Sequence, residues 1–282
     1  MIEERVVNVV KANFIINDYV LIWNLLFKAS ISEKIYNLKQ KMWDVYKNEY
    51  HAIFNDKTEM LEDYKNYIPK DDTIYNIVME NDDYHYLKKR VEKYRLEVLN
   101  IWDKKKKETT QLYSKIVRLA IPDYTFFIVN KELNTIENPT DDTLIVGKEI
   151  CKEDPIKLLI QINKEILKYH IHPKKENKNI TDTIIELAVY NEYGTMLTKK
   201  SAYQFGDPQL FELKHYLYPY WLMYLGVPKE EFFSYMMRDK IVFEESQYAY
   251  EKELKKMNLE EFINFCIRNE RYIVREHKKE VV

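Results

Sequence analysis

Between Lys164 and Glu192 the chain gathers most of the side chains that could do chemistry. Glu165 lies between Lys164 and Lys168, which are four residues apart. Side chains at i and i+4 share one face of a helix. Two imidazoles at that spacing around a glutamate form a metal-hydrolytic site: the imidazoles hold zinc and the glutamate takes a proton from the bound water. Here both ligand places hold lysine, whose ammonium group repels a dication. If this stretch occupies such a slot, Glu165 is a vestigial general base. A carboxylate in that position without metal needs a cation, so Glu165 is expected to pair with Lys164, Lys168 or a lysine from another element. His170 and His172 follow one turn later, Glu186 and Glu192 lie downstream, and His215 further on. His170, His172 and Glu186 form the alternative metal set. An i, i+2 histidine pair converges on one ion only from a strand or loop, and Pro173 is where the helix would end.

The same residues also have plain structural readings. His170 and His172 suit a helix C-terminus, where imidazolium meets the negative end of the macrodipole. Thr183-Ile184-Ile185-Glu186 fits a capping box, with the glutamate reaching back to the cap amide. Glu192 is expected to face away from Glu186 and to be exposed. His51, His85 and His277 have no partners at ligand spacing. The densest aromatic run, Tyr216–Tyr224, suits either core packing or a groove for a peptide. On the second reading Tyr190, Tyr218, Tyr220 and Trp221 are the candidate binding residues. No nucleophile elbow, phosphate loop, dinucleotide fingerprint or EF-hand pattern is present.

These residues need elements to hold them. The first 27 residues carry apolar side chains at helical spacing and read as an amphipathic helix. A second helix opens at Ser32 and continues through Tyr46. Pro69-Lys70-Asp71-Asp72 is a break. A long helix spans roughly 84 to 118, with Leu87, Val91, Tyr94, Val98, Ile101 and Trp102 on its apolar stripe. Residues 123–129 and 143–147 are short, apolar and β-branched or aromatic, so they read as strands. The polar stretch 134–142, with Pro139, reads as a loop between them. Helices then start after Asp154-Pro155, at Thr181 or Thr183, after Asp207-Pro208, at Pro228 and at Asn258. The second of these is expected to stop at Gly194.

Composition sets the outer bounds. In 282 residues, 46% hydrophobic and 32% charged side chains support a globular core, while a net charge of −2 provides no field for nucleic acid. Only four glycines favour long regular elements over tight turns. Cys151 and Cys266 are too far apart for a C-x-x-C site and read as reduced thiols of a cytoplasmic protein. No stretch reads as a membrane span. The fold class is therefore a predominantly helical α+β protein, with a helical N-terminal region over 1–118 and an α+β core over 119–282.

The run from Asp123 to Gly194 resembles the core of small gluzincin-type zincin metallopeptidases. In that family a strand like Thr125–Val129 is followed by an edge strand like Thr143–Gly147, and then by the H-E-x-x-H helix. A second helix then bears a glutamate ligand in a context similar to Ile184-Ile185-Glu186-Leu187-Ala188-Val189-Tyr190. The resemblance implies a zincin-like core in which Lys164 and Lys168 replace the histidine ligands. It implies a metallopeptidase-like protein without cofactor that acts by binding a protein or peptide partner. The alternatives are an active zinc metallopeptidase with atypical ligands, for which zinc is the cofactor, and an unrelated helical interaction protein.

Overall fold

The computed structural model describes residues 11–28, 33, 35–37, 40, 82–152, 154–171, 177–200, 206–238 and 245–275. In chain order, strand β1 is Ala12–Ile15, helix α1 Asp18–Phe27, α2 Asp82–Lys104 and α3 Lys106–Gln111. The chain continues as a π-helical segment over Leu112–Val117. Strands β2 (Tyr124–Ile128), β3 (Thr135–Thr140) and β4 (Thr143–Gly147) follow, then α4 (Ile156–Ile171) and α5 (Lys178–Glu186). A second π-helical segment, Leu187–Tyr193, leads into α6 (Gly194–Thr198). The last helices are α7 (Phe211–Leu225), α8 (Lys229–Arg238), α9 (Glu251–Leu254), α10 (Leu259–Arg268) and α11 (Glu270–Arg275). The protein is a predominantly helical α+β fold with one small mixed sheet. Among the described residues no helix is long and apolar enough to cross a membrane.

The chain divides into two units that interleave along the sequence. The sheet unit takes the described residues among 10–106 and 122–166, and the helical unit those among 107–121 and 167–282.

In the sheet unit the strand order is β1-β2-β4-β3. β1, β2 and β4 are parallel, and β3 runs antiparallel to β4. The inner strands Tyr-Thr-Phe-Phe-Ile and Thr-Leu-Ile-Val-Gly are nearly continuous apolar runs, as strands covered on both faces require. Gly147 ends β4 where any Cβ would fall 2.4 Å from Val129 Cγ2 and 2.7 Å from the Asn130 carbonyl oxygen. Only glycine admits that approach. Phe14, Phe126 and Trp102 meet edge-to-face, with centroid distances of 4.8, 5.1 and 5.9 Å, so β1, β2 and α2 share one aromatic cluster. Tyr94 fastens α2 to the end of β4. Its hydroxyl donates to the Lys148 carbonyl at 2.6 Å and accepts the Lys148 N–H at 3.1 Å.

Several expectations are corrected here. Residues 12–15, expected to be helical, form β1, because Phe14 is buried in the aromatic cluster and its neighbours pair with β2. Asn17 then caps α1 by accepting the Val20 N–H at 3.2 Å. The expected loop over 134–142 contains edge strand β3. Pro139 is tolerated there because an edge strand leaves one side unpaired, and the register shifts between Glu137 and Thr140. The helix at Thr183 begins earlier, at Lys178, and runs past Gly194, which is right-handed, to end with Lys199 at φ 60°. Of the expected helix from Ser32 to Tyr46, only residues 33, 35–37 and 40 are described, and they are helical. The break at Pro69–Asp72, His51, His172 and His277 lie outside the described residues.

In the helical unit the two π-helical segments pack on each other, and Thr109 Oγ1 and the Tyr193 hydroxyl share a 2.7 Å hydrogen bond beside them. Arg118, at φ 55°, sends its guanidinium to the carbonyls of Lys255, Met257 and Tyr224 at 2.7 to 3.1 Å. It also stands 4.6 Å over the Tyr224 ring. Trp221, Tyr224 and Phe262 stack in the core behind it.

The aromatic cluster of the sheet unit sets the first prediction. Trp102→Ala removes its largest ring and should cost about 3–5 kcal/mol in urea denaturation. A loss below about 1 kcal/mol would show that β1 and α2 are held by other contacts.

Candidate functional site

Two carboxyl side chains in contrasting surroundings, Glu186 and Glu192, lie on α5 and the π-helical segment that continues it. Ile180, Ile184 and Ile185 bury the helix. Thr183 is in mid-helix, where its hydroxyl donates back to the Asn179 carbonyl at 2.6 Å. The capping-box reading of Glu186 is therefore corrected, since Glu186 ends α5 instead of beginning it.

Glu186 has no exposed surface. An ionised carboxylate in that setting must find a cation and hydrogen-bond donors. Lys214 of α7 brings its ammonium to 2.7 Å from Oε2. The Asp207 N–H donates to both carboxylate oxygens, at 3.1 and 3.3 Å. Gly206 lets the backbone come this close: a Cβ there would lie 2.5 Å from Glu186 Oε2 and 2.6 Å from Lys214 Nζ. Asp207 is held in turn by its own cap, its side chain accepting the Gln209 N–H at 3.0 Å ahead of Pro208. The Lys214 ammonium also stands 5.8 Å from the Tyr190 ring centroid and 5.4 Å from that of Phe211. Aromatic faces favour a cation that has lost water.

Six residues on, Glu192 meets a different environment. It is half-buried, and its hydrogen bond among the described residues comes from the Trp221 indole N–H, 3.0 Å from Oε1. Burial pushes its carboxyl above the ordinary value, and the indole donor offsets part of that effect. The expectation that Glu192 is simply exposed is corrected, because Trp221 reaches across from α7. Trp221 and Lys214 are seven residues apart, about two helical turns or 10 Å along α7.

The remaining candidates are spread out. Glu165 is half-buried on α4, and among the described residues it makes no ion pair. Lys168, one of its expected partners, instead approaches Asp182 at 3.8 Å. His170 is half-buried with its ring edge-on to Tyr169, 5.8 Å between centroids. His215 is exposed on α7. Among the described residues no three histidine, cysteine, aspartate or glutamate side chains stand close enough to hold a metal ion. Tyr190 and Tyr218 are half-buried. Tyr220 is 7% exposed and Trp221 is fully buried, so both support the core. α7 continues through Pro219 without interruption.

Lys214 and Gly206 were not singled out from sequence, and Asp207 was read only as a helix start. The pairing with Glu186 spans more than twenty residues, and no local spacing marks it. The one usable signal is Gly206, among the four glycines of the chain, directly before a helix-opening Asp-Pro.

Lys214→Met should destabilise the protein by about 3–5 kcal/mol, because it leaves a buried charge uncompensated. Removing both members, as Lys214→Met with Glu186→Leu, should recover most of that loss, and urea denaturation of the two variants reads the difference. A single variant within about 1 kcal/mol of the parent would mean that Glu186 has another counter-charge. Trp221→Ala should cost about 3–5 kcal/mol by the same measurement, as expected of a buried ring. A variant that melts like the parent would remove Trp221 from the core.

Comparisons with protein-family models, with curated proteins and with solved structures return no match. The geometry of the chain's own residues therefore carries the functional reading.

Proposed function

We propose that this chain is a metallopeptidase-like protein that has lost its zinc ligands and works in the cytoplasm by binding a protein or peptide partner. One observation carries the reading. Glu186, at the place the zincin resemblance gives to the third zinc ligand, is buried against the ammonium of Lys214. Lys164 and Lys168 stand at the two imidazole places. A zinc site needs neutral imidazole nitrogens and anionic carboxylates that are free to coordinate. Here the glutamate's charge is met by a lysine, and the imidazoles are replaced by lysines. The succession of β2, β4 and then α4 keeps the element order of the resemblance, with the departure that β4 lies inside the sheet and β3 takes the edge. Cys151 and Cys266, neither of them in a disulfide, suit a reducing compartment.

For the partner, the half-buried rings of Tyr190 and Tyr218 are the usable part of the aromatic set, with Tyr220 and Trp221 as their support. Tyrosine offers a rigid apolar face at small entropic cost and a hydroxyl for a peptide backbone.

Two measurements on the full chain test the reading. Elemental analysis after purification in zinc-containing medium should find far less than one zinc per chain. Affinity capture from the native cell should recover a partner that is lost with Tyr190→Ala/Tyr218→Ala while the variant keeps the parent's melting curve. About one zinc per chain, lost in His170→Ala or His172→Ala, would overturn the reading in favour of an active enzyme with atypical ligands.

A further inference from the structure

Glu192 plays no part in the proposed function, and its surroundings give it one of its own. The groups on the elements around it are committed elsewhere or exposed. On α5, Glu186 is paired with Lys214, Asp182 with Lys168, and Lys178 is exposed. On the first π-helical segment Lys115 is exposed and Tyr113 is buried. On α3 Lys107 is exposed and Glu108 is half-buried. On α7 Glu212 accepts from the Tyr216 hydroxyl at 2.6 Å, His215 is exposed, and Tyr224 donates to the Ile116 carbonyl. Helix α6 carries no charged residue. Arg118 is spent on three carbonyls. Among the described residues no cation pairs with Glu192.

A neutral carboxyl is well served by one indole donor. An ionised carboxylate is served less well, because its two oxygens accept several hydrogen bonds and the described residues of the protein give them one. The indole N–H favours the ionised form, and burial disfavours it more strongly. Ionisation would therefore draw Glu192 toward water. The side chain projects from a π-helical segment, a rare form of helix that recurs at functional sites.

We propose that Glu192 is a pH-sensing contact of the helical unit, which holds the Leu187–Tyr193 segment to α7 through Trp221 while protonated and releases it when its proton passes to solvent. The device does not depend on the metallopeptidase-like reading. It would act on the same α7 that carries Tyr218, and so would couple the partner surface to pH.

The test uses the full chain labelled with 15N, whose four tryptophans give four indole N–H signals. From pH about 4 to about 8, one signal should move with a midpoint above the ordinary glutamate value of 4.5, and it should stand still in Glu192→Gln. The stability profile has a matching sign. The folded chain holds the Glu192 proton to higher pH than the unfolded chain does. Parental stability should therefore fall as pH rises from about 4.5 to the raised folded value and level off above it. Glu192→Gln should lack that fall. The proposal is overturned if no indole signal titrates in the parent, which needs no variant at all. It is also overturned if the same signal titrates in Glu192→Gln.

Discussion

A carboxylate with no access to water is the constraint around which the helical unit is arranged. Glu186 could be buried only if a positive charge and a backbone donor came with it. Lys214 must therefore come from α7 with most of its side chain covered, and the Asp207 amide must face inward. A Cβ at residue 206 would occupy the space of the ion pair, so any larger residue there would displace Glu186 or Lys214. Residues on three separate segments are fixed by one charge. Such a pair contributes less to net stability than an apolar replacement could, but it penalises every arrangement in which its members separate. It specifies which face of α7 meets α5.

Glu192 shows what happens when the same helical run buries a second carboxyl without a cation. The two glutamates differ little in sequence context and sharply in partners: an ammonium and an amide for one, an indole for the other. Neighbouring titratable groups with opposed environments are a common arrangement where a protein needs one charge fixed and another able to change. The fixed charge holds α5 to α7, and the variable one lies further along the same contact. Opening at Glu192 can then proceed while Glu186 and Lys214 keep the helices in register.

The sequence was most legible where a local rule acts alone. The apolar stripe of α2, the strands expected over 123–129 and 143–147, and the helix start at Asn258 all emerge from short-range patterns, and the structure contains each of them. It was least legible where tertiary contact overrides local preference. Residues 12–15 have helical apolar spacing, yet Phe14 gains more from Phe126 and Trp102 than a continued helix would return. Thr183 looks like a cap, but its hydroxyl can also bond backward within a helix, and it does. At the candidate site, Glu186 was visible as a carboxylate in a distinctive phrase. Its partner was not, because a charge pair between distant segments leaves no periodicity to detect. The two π-helical segments had no sequence signal either, since their residues are ordinary for an α-helix.

The tyrosine content follows from the same irregularity. A chain with 24 tyrosines and four glycines has few ways to end elements in tight turns and many ways to satisfy stray carbonyls with side chains. Backbone groups left unpaired at element ends and in irregular helical turns must be bonded when buried. In the sheet unit the Tyr94 hydroxyl answers both the N–H and the carbonyl of Lys148, just past β4. In the helical unit Tyr224 takes the Ile116 carbonyl inside a π-helical segment, and Arg118 collects three more carbonyls near it. A phenol does this while burying a full aromatic ring, so each such tyrosine supplies core volume and a donor together. Tyr190 and Tyr218 differ from the buried tyrosines in that their rings keep part of their surface. Where a partner is to be held, those partly exposed rings are the ones whose burial remains to be gained.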